Sequence, residues 1–152
     1  MSTLDQAPLG KNSDNPSQYS PELLFPIART ENRLKIGIKN AEPPFFGIDI
    51  WNAYELSWLN AKGKPQLAIA TFFVPANSSN IIESKSWKLY LNSLNNHCFQ
   101  SNEELIQTLK NDLSKAAGAS VSVQLNSPEQ QCTKGMKEMT GKLLDRLDLE
   151  ID

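Results

Sequence analysis

Ser101-Asn102-Glu103-Glu104-Leu105-Ile106-Gln107-Thr108-Leu109-Lys110-Asn111-Asp112-Leu113-Ser114-Lys115-Ala116-Ala117-Gly118 reads as one complete helix with both ends marked. Ser101 and Glu104 have capping-box spacing, in which each side chain satisfies the other residue's free backbone N–H. Leu105, Ile106, Leu109 and Leu113 form one apolar stripe. Lys115 complements the negative end of the helix, and Gly118 supplies the left-handed residue that closes it. Upstream, 84–94 has two patterns. Trp87, Tyr90, Leu91 and Leu94 follow helical spacing, while Trp87, Leu89 and Leu91 alternate as a strand would. The Ser-rich polar start favours a helix, so two consecutive helices are expected.

Strand patterns lie on either side of this pair. Residues 66–74 are apolar on both faces apart from Gln66 and Thr71, which predicts a strand covered on each side and ended by Pro75. Lys62-Gly63-Lys64-Pro65 has turn chemistry. Before it, Phe46, Ile48 and Ile50 alternate, and 54–59 can continue that strand. Leu34, Ile36 and Ile38 predict an earlier strand, ahead of the Pro43-Pro44 break. After the helices, Val121, Val123 and Leu125 alternate, then a polar run over 126–142, then Leu147, Leu149 and Ile151. The order is β-β-α-α-β with one further strand, an α+β pattern with helices on one face of an antiparallel sheet. Residues 1–33, with Pro8, Pro16, Pro21 and Pro26, read as an extended N-terminal arm, whose Leu23, Leu24, Phe25 and Ile27 would dock on the core. Residues 34–152 would form the folded module. The sequence stops inside an apparent strand at Asp152, so a longer protein is expected.

Composition narrows the chemistry. The chain has 152 residues and a net charge of −2, which gives no global electrostatic attraction to nucleic acid or a membrane surface. Apolar residues make up 39% and charged residues 21%, as in a folded domain. No apolar run is long enough to span a bilayer, and the start lacks a signal-peptide pattern, so a cytoplasmic protein is expected. His97, Cys98 and Cys132 are too few for a structural zinc site, and no metal site is expected. No phosphate-binding glycine loop or nucleophile elbow is present. His97 and Cys98 are adjacent and would point apart, so Cys98 reads as an ordinary thiol and His97 as a loop or cap residue. Trp51, Trp58 and Trp87 could stack a base, but tryptophans in a small domain more often belong to its core.

The densest polar stretch is Glu83-Ser84-Lys85-Ser86-Trp87-Lys88-Leu89-Tyr90. A helix starting there would point its free N–H groups and positive end at Glu83, with Lys85 and Lys88 reinforcing an anion site. Two uses of Glu83 stand open: a plain cap on its own helix, the commoner case, or a carboxylate that accepts N–H donors from a planar heterocycle.

Residues 82–93 resemble the E-S-K-S-x-K-L-Y signature of the NADPH-dependent 7-cyano-7-deazaguanine reductases, the nitrile reductases of the queuosine pathway. Phe46-Gly47-Ile48-Asp49-Ile50-Trp51, residues 54–65, Leu9-Gly10-Lys11 and Leu24-Phe25-Pro26 are similar to the longer, two-module branch of that family, so the resemblance covers most of the chain. It implies the tunnelling fold (T-fold) and a homodimer. It also implies that Ile82, Glu83 and Ser84 contact the bicyclic base, and that Ser84 and Lys85 contact NADPH. The implied reaction converts 7-cyano-7-deazaguanine to its aminomethyl counterpart for queuosine modification of tRNA, with two NADPH. A Cys adds to the nitrile and an Asp helps protonate it. Aligned on Gly63 and Pro65, this chain has Leu59 at the Cys position and Gln66 at the Asp position, and neither can do that chemistry. In the two-module branch those groups belong to the second half, so no catalytic residue is expected in this segment, which by itself would be inactive. The alternative is a non-catalytic module that binds a purine-like ligand or holds a dimer. A related pterin enzyme such as a cyclohydrolase ranks last, because it needs metal ligands that this chain lacks.

Overall fold

The computed structural model describes residues 16–39 and 43–128, together with 7, 8 and 10. Its centre is a hairpin of two long strands, β2 (Ile48–Asn60) and β3 (Pro65–Pro75). The turn between them forms as its residues dictate: Gly63 takes φ +74°, and the Asn60 side-chain oxygen accepts the N–H groups of Lys62 and Lys64 at 2.9 and 3.0 Å. β6 (Ser122–Asn126) pairs antiparallel with β3, and the short β5 (Cys98–Phe99) pairs parallel with the end of β2, giving the order β5-β2-β3-β6. A separate two-stranded sheet joins β1 (Pro26–Ala28) to β4 (Asn80–Ile82), antiparallel.

Two helices pack on one face of the larger sheet. Helix α3 (Asn102–Ala117) buries Leu105, Leu109, Leu113 and Ala117 completely, the stripe expected from its spacing, with Ile106 at the margin. Helix α2 (Ser84–Ser93) buries Ser86, Trp87, Tyr90 and Ser93, which settles 84–94 as helical. The sheet meets them with Leu56, Trp58, Ala68, Ala70, Phe72, Val74 and Val123. Trp87 stacks on Trp51 with centroids 4.9 Å apart and meets Phe72 edge-on at 5.3 Å. Trp58 is buried as well, so all three tryptophans serve the core. The fold is α+β, with β2-β3-α2-α3-β6 as its kernel.

Four expectations need correction. Leu34 and Ile36 do not lie in a strand: α1 (Arg29–Lys35) runs through that region, leaving both residues exposed. Tertiary ties override the short alternation, since Arg29 pairs with Asp49, its Nε donates to Ser78 Oγ at 3.0 Å, and Arg33 donates to the Ala76 carbonyl. Residues 66–74 are covered on the helix side only; on the other side Ile69, Thr71 and Phe73 are half-buried and Leu67 is exposed. The sheet is not wholly antiparallel, because β5 joins parallel to β2. Finally, the Ser101 hydroxyl accepts the Glu104 N–H at 3.2 Å, but the Glu104 carboxylate accepts the Gln100 N–H, one residue before the one expected. The strand expected at 147–151 and Cys132 lie outside the described residues. No helix among the described residues is long and apolar enough to cross a membrane.

Candidate functional site

The junction of β4 and α2 brings Ile82, Glu83, Ser84 and Lys85 together. Ile82 ends β4, paired with Pro26, and its side chain is buried in the core. Glu83 is the N-cap, with extended backbone (φ −65°, ψ 134°), so its side chain can fold back over the first helical turn. Its Oε1 accepts the Lys85 N–H at 2.8 Å and its Oε2 accepts the Ser86 N–H at 2.7 Å. The commoner use of Glu83, a cap on its own helix, is therefore present. Oε1 also accepts the Ser84 hydroxyl at 3.5 Å, so within the protein Oε2 is the oxygen that retains a further lone pair, on a residue only 6% exposed. A poorly hydrated carboxylate is a strong acceptor for N–H donors that reach it.

Ser84 is exposed one residue further on, and Lys85 is half-buried beside it. Ser84 also lines a cleft of about 430 Å³ between β2 and α2, with Trp51, Leu56, Phe72, Trp87 and Lys88. The Ser84 hydroxyl and Lys88 border an aromatic floor there, with Glu55 on the same cleft, while the Lys85 and Ser86 N–H groups of the helix start are taken by Glu83.

Residues 24–27 frame this junction. Glu83 N–H donates to the Phe25 carbonyl at 2.9 Å, and Phe25 N–H donates to Ser86 Oγ at 3.0 Å. Leu24 is buried in the core and Ile27 is buried beside it, as expected of the apolar cluster at 23–27. Farther along α2, Tyr19 and Tyr90 both donate to Asp112 on α3. Burial, then the hydrogen bond to the Asp112 carboxylate and its charge, push both phenols well above their ordinary value of 10.

The remaining sequence candidates lie elsewhere. Leu59 and Gln66 flank the β2–β3 turn, where Gln66 pairs with Trp58 and Leu59 N–H donates to the His97 carbonyl. The His97 ring packs against Tyr19 at 5.1 Å and Phe99 at 4.8 Å, while Cys98 is exposed on β5. The two neighbours therefore form no nucleophile–base pair. Among the described residues, no group of three or more His, Cys, Asp or Glu is placed to hold a metal ion. Phe25 was expected only as part of the docking cluster and Ser86 only as part of the polar stretch; their hydrogen bond was not foreseen, because a serine at the third helical position is weakly informative and nothing local links it to a residue sixty-one positions away.

The family described as nitrile reductase, 7-cyano-7-deazaguanine-reductase N-term, matches residues 15–125. The chain is 57% identical over 150 residues to the NADPH-dependent 7-cyano-7-deazaguanine reductase of Paraburkholderia phytofirmans, covering 99% of this chain and 54% of that one. It is 53% identical over 153 residues to the reductase of the same name from Cupriavidus taiwanensis, covering 100% of this chain and 55% of that one. For the Burkholderia ambifaria reductase the identity is 57% over 148 residues. The chain spans about half the length of the curated relatives it matches. On this similarity, and on a signature that falls at the β4–α2 junction, the chain belongs to the family of the 7-cyano-7-deazaguanine nitrile reductase N-terminal region.

Proposed function

We propose that this chain is the N-terminal, ligand-contacting module of an NADPH-dependent reductase. The reductase converts 7-cyano-7-deazaguanine to 7-aminomethyl-7-deazaguanine in queuosine biosynthesis for tRNA modification. The relatives carry that activity in their names and are about twice as long. The observation that carries the reading is the Glu83 carboxylate, nearly sealed from solvent and fixed by two backbone donors at the start of α2. In this reading the spare lone pair on Glu83 Oε2, and the one on Oε1 released when the Ser84 hydroxyl turns to the base, accept N–H donors from its guanine-like edge. Main-chain groups of Ile82 border the same edge, and the Ser84 hydroxyl meets the base from the helix side.

Ser84 and Lys85 would hold NADPH, with the lysine ammonium against a phosphate. NADPH supplies hydride, two equivalents for each nitrile taken to an amine. The nucleophilic Cys and acidic Asp come from the following half of the protein, which agrees with Leu59 and Gln66 standing at their positions here. This module recognises, orients and shields the base, in a cytoplasmic homodimer with the T-fold, as residues 34–152 preceded by the 1–33 arm. Two observations test the reading. The gene beyond Asp152 should encode a Cys with an Asp seven residues later. The complete gene product should oxidise two NADPH per nitrile consumed; a product that ignores the nitrile contradicts the assignment.

A further inference from the structure

Ser86 makes more contacts with Glu83 than a helix start requires. Its side chain is fully buried. The Oγ donates to the Glu83 carbonyl at 2.7 Å and accepts the Phe25 N–H at 3.0 Å, while the Ser86 N–H donates to Glu83 Oε2 at 2.7 Å. Glu83 N–H returns to the Phe25 carbonyl at 2.9 Å. Phe25, Ser86 and Glu83 thus form a closed ring of hydrogen bonds that fixes the backbone on which the carboxylate turns. Two helical turns along, Ser93 repeats the pattern. Its Oγ donates to the Tyr90 carbonyl at 2.6 Å and accepts the Ser20 N–H at 3.2 Å. The arm is therefore stitched to α2 through two buried serine hydroxyls on one helix face.

We propose that Ser86 is a positioning residue for the Glu83 carboxylate, and that residues 19–25 act on the base site through its hydroxyl. The inference rests on the reading of Glu83 given above. Ser86 touches no ligand. Its hydroxyl holds the Glu83 backbone from which the carboxylate folds back over the first turn of α2, and it transmits the seating of residues 19–25 to that carboxylate. Removing the hydroxyl leaves the buried Phe25 N–H without its acceptor and takes from the Glu83 carbonyl one of its two donors, the other being the Trp87 N–H at 3.0 Å. The backbone under the carboxylate loosens and the carboxylate samples other rotamers.

The test is a double-mutant cycle in the complete gene product, with Ser86→Ala, Glu83→Gln and both together. The readouts are the Kd for 7-cyano-7-deazaguanine by tryptophan fluorescence and the steady-state constants. Ser86→Ala is expected to weaken base binding about tenfold and to raise KM for the nitrile by the same factor, with kcat within about twofold. The double variant is expected to bind no more weakly than Glu83→Gln alone. Unchanged affinity in Ser86→Ala, or a further tenfold loss in the double variant, overturns the positioning role. If Glu83→Gln itself binds as the wild type does, the reading of Glu83 falls and this proposal falls with it. Should Ser86→Ala fold poorly, Ser86→Cys keeps a side-chain atom at the γ position, slightly larger than the hydroxyl, weakens both hydrogen bonds and carries the same cycle.

Discussion

Tyr19 and Tyr90 donate to the same oxygen of Asp112, each at 2.6 Å, so one carboxylate on α3 ties the N-terminal segment and α2 together. Tyr90 is completely buried, and its hydroxyl has no water to fall back on. Asp112→Ala should therefore cost about 2–4 kcal/mol, because two phenols lose their acceptor. Tyr19→Phe should cost only about 1 kcal/mol, since it removes donor and bond together. Urea unfolding at neutral pH measures both, and equal costs would contradict the shared-acceptor account.

The same clamp sets a pH limit. Both phenols have folded-state values raised above 10, so the folded protein holds protons that the unfolded chain releases. Their contribution to stability is fully present below about pH 10 and is lost as pH rises further. Unfolding free energy measured across the alkaline range should fall from about pH 10 upward, and should fall less steeply in Tyr19→Phe.

Gly118 closes α3 with φ +69°, and a Cβ built there would lie 3.1 Å from Ser79 Cβ. Gly118→Ala combines left-handed strain with a contact that must give, and should cost about 1–3 kcal/mol in thermal or urea unfolding. Substitution without cost would mean that the cap relaxes.

Leu59 and Gln66, expected from the resemblance to stand at the positions of reactive groups, flank the hairpin turn. In the complete gene product, Leu59→Met and Gln66→Ala should leave kcat within about twofold. A loss of several orders of magnitude in either would place chemistry in this half.

What the sequence revealed divides along physical lines. Both kernel helices and the long hairpin were legible, because apolar period, Ser101, Gly63 and Gly118 are local signals that the packing obeys. The α1 helix was not, because contacts of Arg29 and Arg33 with distant residues outweigh the alternation of Leu34 and Ile36. Short strands β1, β4 and β5 are too brief for any periodicity and exist through their partners. Ile82 to Lys85 were legible as a motif, and the structure sets them at the β4–α2 junction. The hydrogen bonds that join Glu83, Ser86 and Phe25 were not, since they run through backbone groups that sequence does not distinguish.

The most direct test of the central claim is a fluorescence titration of the complete gene product with 7-cyano-7-deazaguanine, repeated with Glu83→Ala. Trp51 and Trp87 lie in the cleft beside Ser84, where they can report binding. The account predicts saturable binding by the wild type and at least a hundredfold weaker binding by a folded Glu83→Ala protein, as expected for removal of a charged acceptor facing more than one donor. Equal affinity in the two proteins would contradict it, and would leave Glu83 as no more than the cap of its own helix.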